Sequence, residues 1–81
     1  MDNPKELTAI RNAVDRHLKR KPKAFDDDTA IVSSGLIDSM SIVDLILDLE
    51  SALGVKIPPS DVQPDDFDSV RAIARTVSRF R

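Results

Sequence analysis

The chain has 81 residues, 41% of them hydrophobic, with no cysteine and one histidine, His17. That length fits one small domain with a thin core, and the residue set excludes a thiol nucleophile, a disulfide framework, a cysteine-based zinc site and any site built on a histidine pair. The net charge of −2 hides a segregation, since residues 1–23 sum to +4, residues 24–68 to −10 and residues 69–81 to +4, so a basic partner is steered to the middle of the chain.

The aromatics are three Phe, so the core is expected to be aliphatic. No run reaches the roughly 18 to 20 apolar residues that a bilayer span requires, and the first residues lack the apolar stretch of a secretory signal. These features predict a soluble, cytoplasmic monomer.

The first helix opens on Asn3, Pro4 and Glu6, which match N-cap, N1 and N3 of a capping-box-like start. Leu7, Ile10, Val14 and Leu18 give one apolar stripe. Lys19, Arg20 and Lys21 suit a helix C-terminus and Pro22 ends it. Residues 23–38 then read as a long loop, which in a small domain signals function or added packing. Phe25, Ile31, Val32, Leu36 and Ile37 are too apolar for open solvent and should pin it to the core. Asp26, Asp27 and Asp28 read as a solvated acidic stretch rather than as a metal site.

The second helix is predicted from Ser39 to Leu53, with Asp38 as N-cap and Gly54 as the C′ stop. At 100° per residue, Ile42, Leu45, Ile46, Leu49 and Leu53 form its core face. Met40, Val43 and Leu47 form a second apolar strip, with Asp44 and Asp48 beyond it. Two readings of that strip stand side by side: the long loop packs over it, or it is a partner-binding strip edged by carboxylates. Ile57-Pro58-Pro59 breaks the chain, and Ser60-Asp61-Val62 forms a short turn of helix limited by Pro64. The last helix begins at Asp68 or Ser69, with Val70, Ile73, Ala74, Val77 and Phe80 inward and Arg71, Arg75 and Arg79 on another face. The expected fold is all-α: one domain over residues 1–81, with three main helices and one short one in a four-helix bundle.

Gly35-Leu36-Ile37-Asp38-Ser39-Met40, joining a long loop to an acidic helix, resembles the Asp-Ser-Leu/Met signature of the acyl carrier protein family. The likeness extends over the helix order and the Ile57-Pro58 break. It implies that Ser39 carries 4′-phosphopantetheine, transferred from coenzyme A by a separate phosphopantetheinyl transferase, with Asp38 helping to position it. The arm would supply the thiol this chain lacks and hold cargo as a thioester, so the protein is expected to be a carrier and not an enzyme. A helix start also offers unpaired N–H groups that favour a phosphate. By the same resemblance Met40, Val43, Asp44, Leu47 and Asp48 form the partner-recognition helix for ligases and downstream acyl-processing enzymes.

Housekeeping fatty-acid carriers usually have further Glu where Ser51 and Ala52 stand, and they lack an Arg-rich last helix. Those departures favour a dedicated carrier of a lipid or secondary-metabolite pathway, loaded by its own ligase. An aminoacyl or D-alanyl-type carrier loaded by an adenylating ligase ranks second. The Asp66-Phe67-Asp68-Ser69-Val70 stretch also resembles carriers paired with such ligases. An unmodified interaction protein, and a nucleic-acid binder using Arg71, Arg75, Arg79 and Arg81, are weaker alternatives. The latter is disfavoured by the net charge and the lack of stacking aromatics. His17, with no second histidine, reads as structural or surface.

Overall fold

The computed structural model describes residues 4–22 and 25–80, and of Ser39 the backbone alone. Among the described residues there are three α-helices: α1 (Pro4–His17), α2 (Ser39–Leu53) and α3 (Val70–Arg79). Two 3-10 turns, Pro59–Asp61 and Pro64–Phe67, lie between α2 and α3. There is no strand among the described residues. α1 packs against both other helices, and the second 3-10 turn touches α2 and α3.

In α1 the stripe holds, with Ile10, Ala13 and Val14 fully buried and Leu7 packed at the edge. The helix ends at His17 and not at Pro22. The reason is tertiary: the Lys19 N–H, instead of extending the helix, donates to the Leu36 carbonyl at 2.8 Å, while Leu18 turns toward the core. Lys19, Arg20 and Lys21 therefore lie beyond the helix rather than in its last turn. The expected N-cap, Asn3, lies outside the described residues.

The loop before α2 is pinned as its composition predicts. Ile31, Leu36 and Ile37 are buried, and Phe25 and Val32 pack partly against the core. Gly35, at φ 81°, closes a turn in which its N–H donates to the Val32 carbonyl at 3.1 Å. The Ile37 N–H then returns to the Ile31 carbonyl at 2.9 Å.

α2 has the predicted bounds. Ile42, Leu45, Ile46 and Leu49 are buried, with Leu53 half-buried at the end of the same face. Gly54 adopts the left-handed conformation (φ 65°) and its N–H donates to the Glu50 carbonyl at 2.9 Å. No atom lies within 4 Å of the Cβ that a larger residue would add there, so backbone conformation, not space, selects glycine. The Glu50 carboxylate accepts from the Ile57 N–H at 2.8 Å, which ties the chain leaving α2 back to the helix and buries Val55 and Ile57.

The short helical turn expected before α3 is present as Pro59–Asp61 and is followed by a second 3-10 turn, so among the described residues the bundle has three α-helices and two short turns. Gln63 is extended (φ −124°, ψ 164°) because it precedes Pro64. Pro64 thus opens a second turn rather than limiting the first. Gln63 and Asp66 close that turn as a reciprocal capping box, and it delivers Phe67 to the centre of the core with no exposed surface. α3 starts after Ser69, whose Oγ accepts from the Ala72 N–H at 3.0 Å. It buries Val70, Ile73, Ala74 and Val77, with Phe80 half-buried at its end.

The core is aliphatic apart from Phe67 and, among the described residues, holds 17 buried hydrophobic side chains, so each carries a large share of stability. Replacing Leu49, which is fully buried, with Ala should cost roughly 2–5 kcal/mol. That is a large fraction of the stability of a chain this size, and far-UV circular dichroism in urea should show it as a much lowered midpoint.

Candidate functional site

The start of α2 is held from two sides. Leu36 and Ile37 are buried in the core while Asp38 and Met40, just beyond, are exposed. From the C-terminal side Asp68 clamps the loop. Its backbone carbonyl accepts from the Ile31 N–H at 2.8 Å, and its Oδ1 accepts from the N–H groups of Val32 and Ser33, both at 2.8 Å. Desolvation pushes the Asp68 carboxyl upward, but these backbone and side-chain hydrogen bonds from Ser33, Val32 and Ile31 outweigh it and hold its pKa below the ordinary value.

Asp38 occupies the N-cap position in backbone conformation (φ −70°, ψ 151°), but its side chain makes no capping hydrogen bond. It points to Lys19 instead, with Oδ1 2.5 Å from Nζ. The capping role expected of it is therefore absent. The first turn of α2 has no side-chain acceptor from its N-cap residue and an ammonium stands beside that residue, an arrangement that suits a phosphate. Ser39 is the first residue of the helix.

Met40, Val43 and Leu47 are 85%, 52% and 58% exposed. The loop does not pack over them, which removes the first of the two readings of the strip. The two carboxylates beyond it differ. Asp44 is exposed and has no ion pair among the described residues. Asp48 is drawn toward α1, where His17 Nε2 donates to its Oδ2 at 2.6 Å and Arg16 Nε approaches the same oxygen at 3.5 Å. The His17 hydrogen bond first, then the charges of Arg16 and His17, lower its pKa against a smaller desolvation penalty. His17 is thus a structural tie between α1 and α2.

The other charged runs are mostly consumed inside the chain. Asp26 Oδ1 accepts from the Asp28 N–H at 2.9 Å, which makes a local turn. Asp27 pairs with Arg11, and Asp28 with Arg71 at 2.8 Å. No metal-holding cluster occurs among the described residues. Arg79 pairs with Asp66 at 3.4 Å and stands over the Phe80 ring, while Arg75 is exposed and has no ion pair among the described residues. A shallow cleft of about 270 Å³, lined by Asp65, Asp66, Ala72, Arg75, Thr76 and Arg79, shares no residue with α2.

Sequence reasoning missed the partners of Lys19, His17 and Asp68 at this site, although it read His17 as structural or surface. Their partners lie 19, 31 and 35 or 36 residues away, and no local pattern announces such pairs. The only trace was the likeness of the 66–70 stretch to carriers of one kind.

A family model, the phosphopantetheine attachment site, matches residues 8–77. The D-alanyl carrier proteins of Streptococcus pyogenes and Streptococcus thermophilus are 33% identical over 54 residues, which covers 67% of this chain and 68% of theirs. The fold is similar to a chain in the crystal structure of an engineered Bradyrhizobium japonicum glycine:[carrier protein] ligase complexed with a carrier protein from Agrobacterium tumefaciens and ATP. The TM-score is 0.77 at 22% identity, covering 93% of this chain and 99% of that one. An all-helical scaffold with an open, phosphate-suited helix start is what a carrier of a covalent arm requires. The chain belongs to the phosphopantetheine-attachment family of carrier proteins, and its prosthetic group is covalently attached 4′-phosphopantetheine. Among the described residues no helix is long and apolar enough to cross a membrane.

Asp26, Asp48 and Asp68 all have lowered pKa values in the folded chain. Their contribution is fully present above the ordinary carboxylate range near ~4 and is lost as pH falls through the lowered values. The urea midpoint should therefore fall between pH 6 and pH 3. Asp68→Ala should lower stability at pH 6 by about 2 kcal/mol, narrow that pH difference, and speed hydrogen exchange at the Val32 and Ser33 amides. Unchanged exchange at those two amides would remove Asp68 as the clamp.

Proposed function

We propose that Ser39 is the attachment residue and that the protein is a dedicated carrier charged by a separate adenylating ligase, with an aminoacyl cargo. The observation that carries this is the open start of α2: an exposed Asp38, no side-chain cap, and an exposed apolar strip running away from it. When attached, the arm supplies a thiol on which cargo rides as a thioester.

The chain's own residues hold and present. Leu36 and Ile37 anchor the motif in the core, and Asp68 fixes the loop that leads to it. Met40, Val43 and Leu47 offer apolar contact to a docking enzyme, and Asp44 offers one uncommitted carboxylate to a basic rim. No residue here need act as acid or base. The sequence places a specialised acyl cargo ahead of an aminoacyl one. The D-alanyl carrier relatives favour the aminoacyl cargo and, with it, an amino-acid-activating ligase as partner.

Incubation with coenzyme A and a promiscuous phosphopantetheinyl transferase should add one phosphopantetheine to the intact mass, and Ser39→Ala should abolish the gain. Hydroxylamine release from carrier purified from its native cell should then yield an amino-acid hydroxamate. A fatty hydroxamate would restore the acyl reading.

The unequal roles of the two aspartates give a separate expectation. Asp44→Lys should raise the ligase KM about tenfold with little change in melting temperature. Asp48→Lys should instead lower the melting temperature, because it places a cation against Arg16 and His17. Equal kinetic and thermal effects at the two positions would contradict this division.

A further inference from the structure

Lys19 meets the attachment motif through both main chain and side chain. Its N–H donates to the Leu36 carbonyl at 2.8 Å, and its Nζ lies 2.5 Å from Asp38 Oδ1. Each side chain of that pair is 52% exposed, and an exposed ion pair contributes little to stability. Asp38 also forgoes its capping bond to make it. The pair is therefore a poor stabilising device, yet the backbone bond to Leu36 fixes its place two residues before Asp38.

We propose that Lys19 is the counter-ion of the attachment site, offsetting the Asp38 carboxylate before modification and bridging it to the phosphodiester on Ser39 afterwards. This rests on the reading of Ser39 as the attachment residue. A phosphodiester carries a full negative charge at neutral pH. On Ser39 it would be borne by the residue peptide-bonded to Asp38, with the two Cα atoms about 3.8 Å apart. Two anions that close lie well within a Debye length and repel unless a cation stands between them. Lysine suits the task. Its ammonium has three donors on a flexible stem, so it can keep the carboxylate and add a phosphate oxygen without moving the backbone. The neighbouring cations Arg16 and Lys21 are engaged elsewhere, with Asp48 and Asp15.

The test compares apo protein with transferase-converted holo protein for wild type, Lys19→Met and Lys19→Arg. Intact mass is read first and thermal melting by circular dichroism second. Lys19→Met should lower the apo melting temperature by no more than about 2 °C and the holo temperature by roughly a further 3–5 °C. Lys19→Arg should restore both, and the extra holo loss should shrink in about 1 M NaCl. Equal losses in apo and holo forms would make Lys19 merely structural and overturn the inference while leaving Ser39 in place. Conversion of wild type but not of Lys19→Met would assign the ammonium to transferase recognition and overturn it as well. A wild type that gains no mass with several transferases would instead remove the Ser39 reading itself, and the inference with it.

Discussion

Asp68 accepts three backbone N–H groups from consecutive residues, one through its carbonyl and two through a single carboxylate oxygen. Hydrogen bonds to an ionised acceptor are about twice as strong as neutral ones, and here they join the loop before α2 to the segment that opens α3. Without them the loop would still be held by the buried Ile31, Leu36 and Ile37, by the Lys19 N–H on the Leu36 carbonyl and by the Arg71 N–H on the Asp27 carbonyl, but the backbone of residues 31–33 would lose its fixed partner. With them the Ile31 carbonyl is placed to receive the Ile37 N–H, and the chain enters α2 at one fixed point. Next in line come Asp38 and Ser39. The position of the proposed attachment motif is thus set from the far end of the sequence by Asp68, a residue outside the motif.

Much of the fold was legible because it follows local rules. The bounds of α2 came from Asp38 before it and Gly54 after it, and its core face came from helical spacing. The loop's apolar residues announced their burial by composition alone. Three features were not legible, each because a distant partner decided it. α1 stops at His17 because Leu36, 17 residues ahead of Lys19, takes the Lys19 N–H. Asp38 does not cap because Lys19 claims its carboxylate. Asp48 is not a free rim charge because α1 brings Arg16 and His17 to it. The two readings of Met40, Val43 and Leu47 could not be separated by periodicity either, since a covered strip and an open one have the same spacing. Only the path of the loop distinguishes them.

The distribution of ion pairs gives the molecule a more selective surface than its sequence implies. Residues 24–68 carry a net charge of −10, yet Asp27, Asp28, Asp38, Asp48 and Asp66 are each met by a cation from another segment. Most of these pairs are exposed and contribute modestly to stability. Their larger effect is to remove charges from the field a partner senses. Among the described residues, what remains along α2 is one uncommitted aspartate, Asp44, beside a strip of exposed hydrophobic side chains. In the docking role proposed for it, such a surface would discriminate by shape and by a charge contact more than by bulk acidity.

In that proposed role, the strip also limits what its own side chains contribute to an enzyme's hold on the protein. Full burial of a large aliphatic side chain stabilises by about 1.5–3 kcal/mol, and Val43 and Leu47 are only about half exposed. The three residues together therefore offer on the order of 5 kcal/mol before the costs of association are met. Adding one charge contact leaves a complex well short of the roughly 12 kcal/mol of a nanomolar affinity. A carrier must leave one enzyme to reach the next, so a contact surface of this size fits the task. On the proposed reading, attraction beyond that comes from further surface contacts and from the arm and its cargo, which would let a loaded carrier bind where an empty one lets go.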